Sequence, residues 1–84
     1  MESPLKKFEG AFNRALMYEK AGRVGKAIEF LADAAAAAGM QYMIEFTSAE
    51  YDKDLKGERE AVESHALRMS LVYEDLRRLL KQGS

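Results

Sequence analysis

The chain has 84 residues, 13 of them basic and 14 acidic, with a formal net charge of −1 and no cysteine. This length predicts a single domain with room for one core but not for a deep substrate cleft as well. The near balance of charge argues against non-specific nucleic-acid binding, which needs a clustered cationic face, and gives no reason to expect docking on an anionic membrane. The lack of cysteine excludes disulfides and thiolate metal sites and is compatible with a cytoplasmic location.

The N-terminal residues and the longest uncharged stretch predict no signal peptide and no membrane segment. Residues 1–7 lack the apolar core of a signal peptide. The longest uncharged stretch, Ala34–Ile44, has 11 residues, whereas a bilayer span takes about 20. We therefore expect no membrane insertion, one domain over residues 1–82, and a tail or cloning remnant at 83–84.

The first predicted helix runs from Pro4 to Lys20. Ser3 is a suitable N-cap and Pro4 fits the first turn. Gly22 is expected to end the helix as its C-cap, and the short connection predicts that helix 2 folds back antiparallel. One apolar stripe recurs at spacings of three and four: Leu5, Phe8, Phe12, Ala15 and Leu16.

The second predicted helix runs from about Val24 to Phe46. Gly39 lies inside it and could kink or end it, but the apolar stripe keeps its phase, so we favour continuation. Thr47 and Glu50 have capping-box spacing, which leaves open a short extra helix over residues 48–56, and Gly57 allows a further break. The main stripe consists of Val24, Ile28, Leu31, Ala35, Ala38, Tyr42 and Phe46.

The third predicted helix runs from about Glu58 to Lys81, and its spacings of four and three are typical of a bundle seam. Val72 and Leu79 widen this seam. Together the segments predict an all-α fold, a three-helix antiparallel bundle with a possible break of helix 2 near Gly39 or a short helix at 48–56. The predicted seam consists of Val62, Ala66, Met69, Tyr73, Leu76 and Leu80.

Residues with catalytic or metal-binding chemistry are scarce. We interpret His65, the single histidine, as a boundary residue that packs its ring on the core edge, and Asp52 and Asp54 as a solvated loop. Residues 22–26 superficially resemble a phosphate loop but lack its spacing and a preceding strand. We therefore expect no catalytic, cofactor-binding or metal-binding residue, and no enzyme.

Surplus apolar residues are the positive clue to function. Leu67 and Leu71 fall on the side of helix 3 opposite the seam, and we interpret them as a partner surface more than as core. A further set on helix 2 lies opposite its main stripe, where a wide core is the stronger interpretation. Exposed apolar patches mark interaction sites, so the predicted partner-binding set is Phe30, Ala37, Met40, Ile44, Leu67 and Leu71.

The hairpin over residues 15–31 resembles a tetratricopeptide repeat, because Tyr18, Gly22, Ala27 and Ala34 fall at that repeat's spacing. Arg14 departs from the repeat, and no second copy follows. The MIT (microtubule-interacting and transport) domain is similar over the same hairpin, and residues 68–80 match its third-helix pattern. The alanine run and a helix 2–3 connection that looks several residues longer depart from it.

The MIT resemblance implies a three-helix bundle that captures amphipathic helical tails, typically of membrane-remodelling filament proteins, in grooves between its helices. The partner-binding set would line the groove between helices 2 and 3. Two other hypotheses stay open. In one, the surplus faces pair with themselves in a homodimeric structural bundle; in the other, the chain is a small inhibitor or accessory protein that blocks a larger enzyme.

Overall fold

The computed structural model describes residues 2–82, and these form three α-helices and no strand. Helix α1 spans Pro4–Lys20, α2 spans Val24–Tyr51 and α3 spans Leu55–Gln82. The predicted all-α three-helix bundle is thereby confirmed. The tail predicted at 83–84 lies outside the described residues.

Helix α1 has the predicted bounds because its capping residues act as expected. The backbone N–H of Lys6 donates to Ser3 Oγ at 3.2 Å, and Pro4 occupies the first turn. Gly22 adopts φ 75°, the left-handed conformation that favours glycine, and the N–H of Arg23 reaches back to the carbonyl of Tyr18 at 2.9 Å. The chain therefore reverses in a short turn, and α2 packs antiparallel on α1.

The second turn differs from the prediction. Helix α2 continues through Gly39, as expected, but also through Thr47 to Tyr51, so there is no extra helix at 48–56. The reversal occupies residues 52–54, where Lys53 adopts φ 56° and Asp54 Oδ1 accepts from the N–H of Gly57 at 3.0 Å. This cap starts α3 at Leu55, and the expected longer connection and break at Gly57 were wrong.

Gly57 has a packing role at this turn. A Cβ at this position would lie 2.5 Å from Asp54 Oδ2 and 3.1 Å from the Cβ of Ala49. Glycine therefore allows the first turn of α3 to approach both its own cap and the end of α2.

The three helices are spread rather than closed into a triangle. Helices α1 and α3 both pack on α2 but hardly contact each other, and the Cα atoms extend 46 × 28 × 12 Å. Small side chains make up most of the core, so the helices approach closely. The buried core cluster consists of Phe8, Ala15, Ala27, Leu31, Ala34, Ala37, Ala38, Val72 and Leu79.

Helix α1 is shorter than its neighbours, with 17 residues against 28 in each of α2 and α3. Glu2, just before α1, lines the same groove as Met40 of α2. Beyond that level, α2 and α3 continue as a two-helix extension, which we call the distal hairpin. Its buried residues are Ala49 and Ala61, and the ring of Tyr42 stacks on His65 at 4.8 Å.

The face that α3 turns towards α2 is rotated from the predicted seam. The buried residues of α3 are Ala61, Val72, Asp75 and Leu79. The prediction that the bundle seam buries all six of its residues was wrong, because four of them are exposed: Val62, Ala66, Tyr73 and Leu80. A physical reason is the alanine-rich surface of α2, against which Val72 and Leu79 pack closely. His65 is half-buried against Tyr42, as predicted for a boundary residue.

Candidate interaction surface

Large apolar side chains remain exposed on all three helices. Contiguous exposed apolar surface on a soluble domain usually marks a site of interaction. Within residues 2–82 there are eleven such side chains: Met17, Met40, Met43, Ile44, Tyr51, Leu55, Val62, Leu67, Leu71, Tyr73 and Leu80.

One group of these residues forms a continuous line along α3. The exposed fractions are 47% for Val62, 57% for Tyr73 and 59% for Leu80. The line lies roughly 80° around the helix from Val72, the middle of the buried face, at about 3.6 residues per turn. We call the full line the α3 stripe: Val62, Ala66, Met69, Tyr73, Leu76 and Leu80.

Helix α2 continues this apolar surface on the side away from α1. The rings of Tyr42 and Phe46 lie 5.5 Å apart and are half-buried. Helical periodicity places Ile28, Ala35 and Gly39 on the same side of α2 as these two rings. We call this set of five residues the α2 flank: Ile28, Ala35, Gly39, Tyr42 and Phe46. Together with the α3 stripe, the α2 flank makes one broad apolar face.

Three members of the predicted partner-binding set line a groove between α1 and α2 instead of one between α2 and α3. This groove, of about 350 Å³, is lined by Phe30, Ala37 and Met40 together with Arg14 and Asp33. Ala37 is buried in its floor. The ring of Phe30 stacks on the ring of Tyr18, with 5.4 Å between the two centroids. The guanidinium carbon of Arg14 lies 5.8 Å from the centroid of the Phe30 ring.

The other three members lie elsewhere. Ile44 is exposed one turn beyond Met40. Leu67 and Leu71 are 70% and 49% exposed, which confirms that they leave the core, and they lie on the flank of α3 opposite the stripe. The structure therefore does not bring the six residues into one groove.

The α3 stripe is the surface that sequence reasoning did not identify as exposed. Its spacing of four and three was detected, but it was assigned to the bundle core. This spacing indicates that the stripe can pack against another helix. It does not distinguish a helix of the same bundle from a helix outside it.

Charged residues join the C-terminal ends of α1 and α3. Arg78 Nε donates to Glu19 Oε1 at 2.8 Å and Arg78 Nη2 to Glu19 Oε2 at 3.0 Å, a bidentate pair. Arg78 also pairs with Asp75. The pKa of Asp75 is raised above its ordinary value, mainly by burial and next by the nearby Glu19 carboxylate. The positive charge of Arg78 lowers this pKa, but by less than the other two effects raise it. This cluster fixes helix positions, since one guanidinium serves two carboxylates.

No known protein family, curated protein or solved structure matches the chain. Within residues 2–82, no helix is long and apolar enough to cross a membrane. The same residues contain no group of three or more His, Cys, Asp or Glu placed to hold a metal ion.

Proposed function

We propose that the chain is a non-catalytic interaction module that docks against an amphipathic helix through the α3 stripe and the α2 flank. The observation that supports this is the exposure of the stripe after the bundle has formed. Helix α3 has two apolar faces; one covers α2, and the other has the spacing that packs against a further helix.

Burial of this face would contribute favourably to the free energy of association. Fully burying a valine or leucine side chain is worth about 1.5–3 kcal/mol. Val62, Tyr73 and Leu80 are about half exposed, so covering them recovers roughly 1 kcal/mol each on the same scale. Burial of the half-buried Met69, Leu76 and α2 flank adds to this.

A defined probe tests this function. Fluorescently labelled peptides of about three heptads, with leucine at the a and d positions, are titrated with the chain and followed by anisotropy. We expect binding by the native chain and loss of binding by Tyr73→Ser with Leu80→Ser.

A matched control is available on the same helix. Leu67→Ser with Leu71→Ser also removes two exposed apolar side chains, but from the opposite flank, and should bind like the native chain. If neither native chain nor control binds any peptide, or if the control loses binding and the stripe variant keeps it, the proposed surface is wrong.

The predicted partner-binding set supports a second candidate, the capture of a helical tail as the MIT-like pattern implies. The open groove between α1 and α2 favours it, because apolar Phe30 and Met40 lie beside Arg14 and Asp33. A tail bound there would be weakened by Met40→Ser and unaffected by the stripe variant.

A further inference from the structure

We infer that the helix docked on the α3 stripe is α3 of a second copy of this chain, running antiparallel about a two-fold axis midway between Met69 and Tyr73. This inference rests on the function proposed above and names the partner. It predicts a homodimer in which α2 and α3 of both copies form a central four-helix bundle and both α1 helices lie outside.

The spacing of the stripe is symmetric. Its successive intervals are four, three, four, three and four residues, a series that reads the same in both directions. In an antiparallel pair about the stated axis, every stripe residue therefore faces another stripe residue. Val62 faces Leu80, Ala66 faces Leu76, and Met69 faces Tyr73, so the smallest side chain meets a leucine.

The charges beside the stripe fit the same register. Glu63 and Arg77 lie on its solvent side, and neither forms an ion pair with another residue in the described part of the chain. In the antiparallel pair, Glu63 of each copy lies beside Arg77 of the other, which gives two opposite-charge pairs. A parallel pair would instead bring Glu58 of one copy towards Glu63 of the other, and like charges at these flanking positions disfavour it.

The α2 flank is compatible with this arrangement. Tyr42 of α2 lies against His65 of α3. The axis is at position 71 of α3, six residues after His65. Because α2 runs antiparallel to α3, the same level on α2 is six residues before Tyr42, at residue 36. Helix α2 presents small residues there, among them Ala32, Ala35 and Gly39. A Cβ at Gly39 would meet nothing within 4 Å, so packing within one copy does not require this glycine, and the two α2 helices can approach closely.

Spin labels measure the direction of pairing. The chain has no cysteine, so Ser70→Cys and Lys56→Cys each carry a single label. In the antiparallel dimer the two labels at position 70 lie beside the axis, within about 20 Å, because packed helices lie about 8–10 Å apart and the label side chains add to this. The two at position 56 lie about 45 Å apart axially, since each is 15 residues from the axis and a helix rises about 1.5 Å per residue. Short distances at both positions would overturn the antiparallel pairing.

Charge reversal tests the register. Glu63→Arg and Arg77→Glu should each weaken the dimer about tenfold in sedimentation, because each change converts two attractive pairs into repulsive ones. Combining both changes should restore native affinity. Glu9→Arg, on the exposed side of α1, is the matched control and should leave the dimer unchanged. A double variant as weak as the single ones would overturn the register.

Failure of the inference is separable from failure of the proposed function. If the native chain sediments as a monomer at every concentration but still binds the amphipathic peptides through the stripe, a second copy is the wrong occupant and the docking function stands. If it neither dimerises nor binds peptide, both are wrong.

Discussion

Two adjacent leucines on α3 provide the sharpest test of how the helix is oriented. Leu79 is 0% exposed and Leu80 is 59% exposed, although both belong to the same turn and have the same helix propensity. Leu79→Ala leaves a cavity in the core between α2 and α3, and such truncations cost about 2.7–5 kcal/mol. Leu80→Ala in the monomer removes about half a leucine's burial, which corresponds to about 1 kcal/mol.

Thermal denaturation followed by circular dichroism measures both variants. For a domain of this size, 1 kcal/mol shifts the melting temperature by about 4–8 °C, so Leu79→Ala should melt at least about 10 °C below native. The measurement is made at low concentration, because dimerisation adds stability that depends on concentration. Equal losses for the two variants would refute the orientation of α3 described above and restore the predicted seam.

Three further predictions concern other parts of the molecule. Leu67→Ser with Leu71→Ser should keep the free energy of unfolding within about 0.5 kcal/mol of native, and a loss as large as that of Leu79→Ala would show that these leucines are core. Gly57→Ala should destabilise the fold by about 1 kcal/mol, because the new Cβ disturbs the Asp54 cap of α3. Gly10→Ala, whose new Cβ meets nothing within 4 Å, should instead stabilise the fold by about 0.5–1 kcal/mol. Equal effects of the two changes in urea titrations would contradict the role of Asp54 as a helix cap. The raised pKa of Asp75 means that the native state binds more protons than the unfolded state between the ordinary aspartate pKa of about 3.9 and the raised one. Stability should therefore fall as pH rises through this window, and Asp75→Asn should remove that part of the pH dependence of urea unfolding.

The bounds of α1 were predictable because each boundary has a local chemical cause. Ser3, Pro4 and Gly22 act on neighbouring backbone groups alone, and the structure shows each in its expected role. The second turn was not predictable in this way. Its left-handed residue is Lys53, a residue type that carries no signal for that conformation, while Thr47 and Gly57 carried signals that tertiary packing overrode.

The orientation of α3 shows a different limit of sequence reasoning. Two apolar lines run along this helix, one through Val72 and Leu79 and the other through the stripe. Periodicity detects both, but the side on which alanine-rich α2 packs depends on how closely two surfaces fit, which only the assembled helices determine. The exposure of Leu67 and Leu71 was predictable because they lie far from both lines. Their role in binding remains a prediction.

The shortness of α1 implies that local stability is graded along the molecule. At about 1.5 Å per residue, the 17 residues of α1 span about 25 Å, against about 42 Å for the 28 residues of α2. The distal hairpin is therefore supported by two helices and a few alanines, while the other end is held by three helices and the Arg78 cluster. Local opening and amide hydrogen exchange should begin at the turn around Lys53 and spread towards Gly39, so that the end of the bundle furthest from α1 behaves as a separate, weaker cooperative unit.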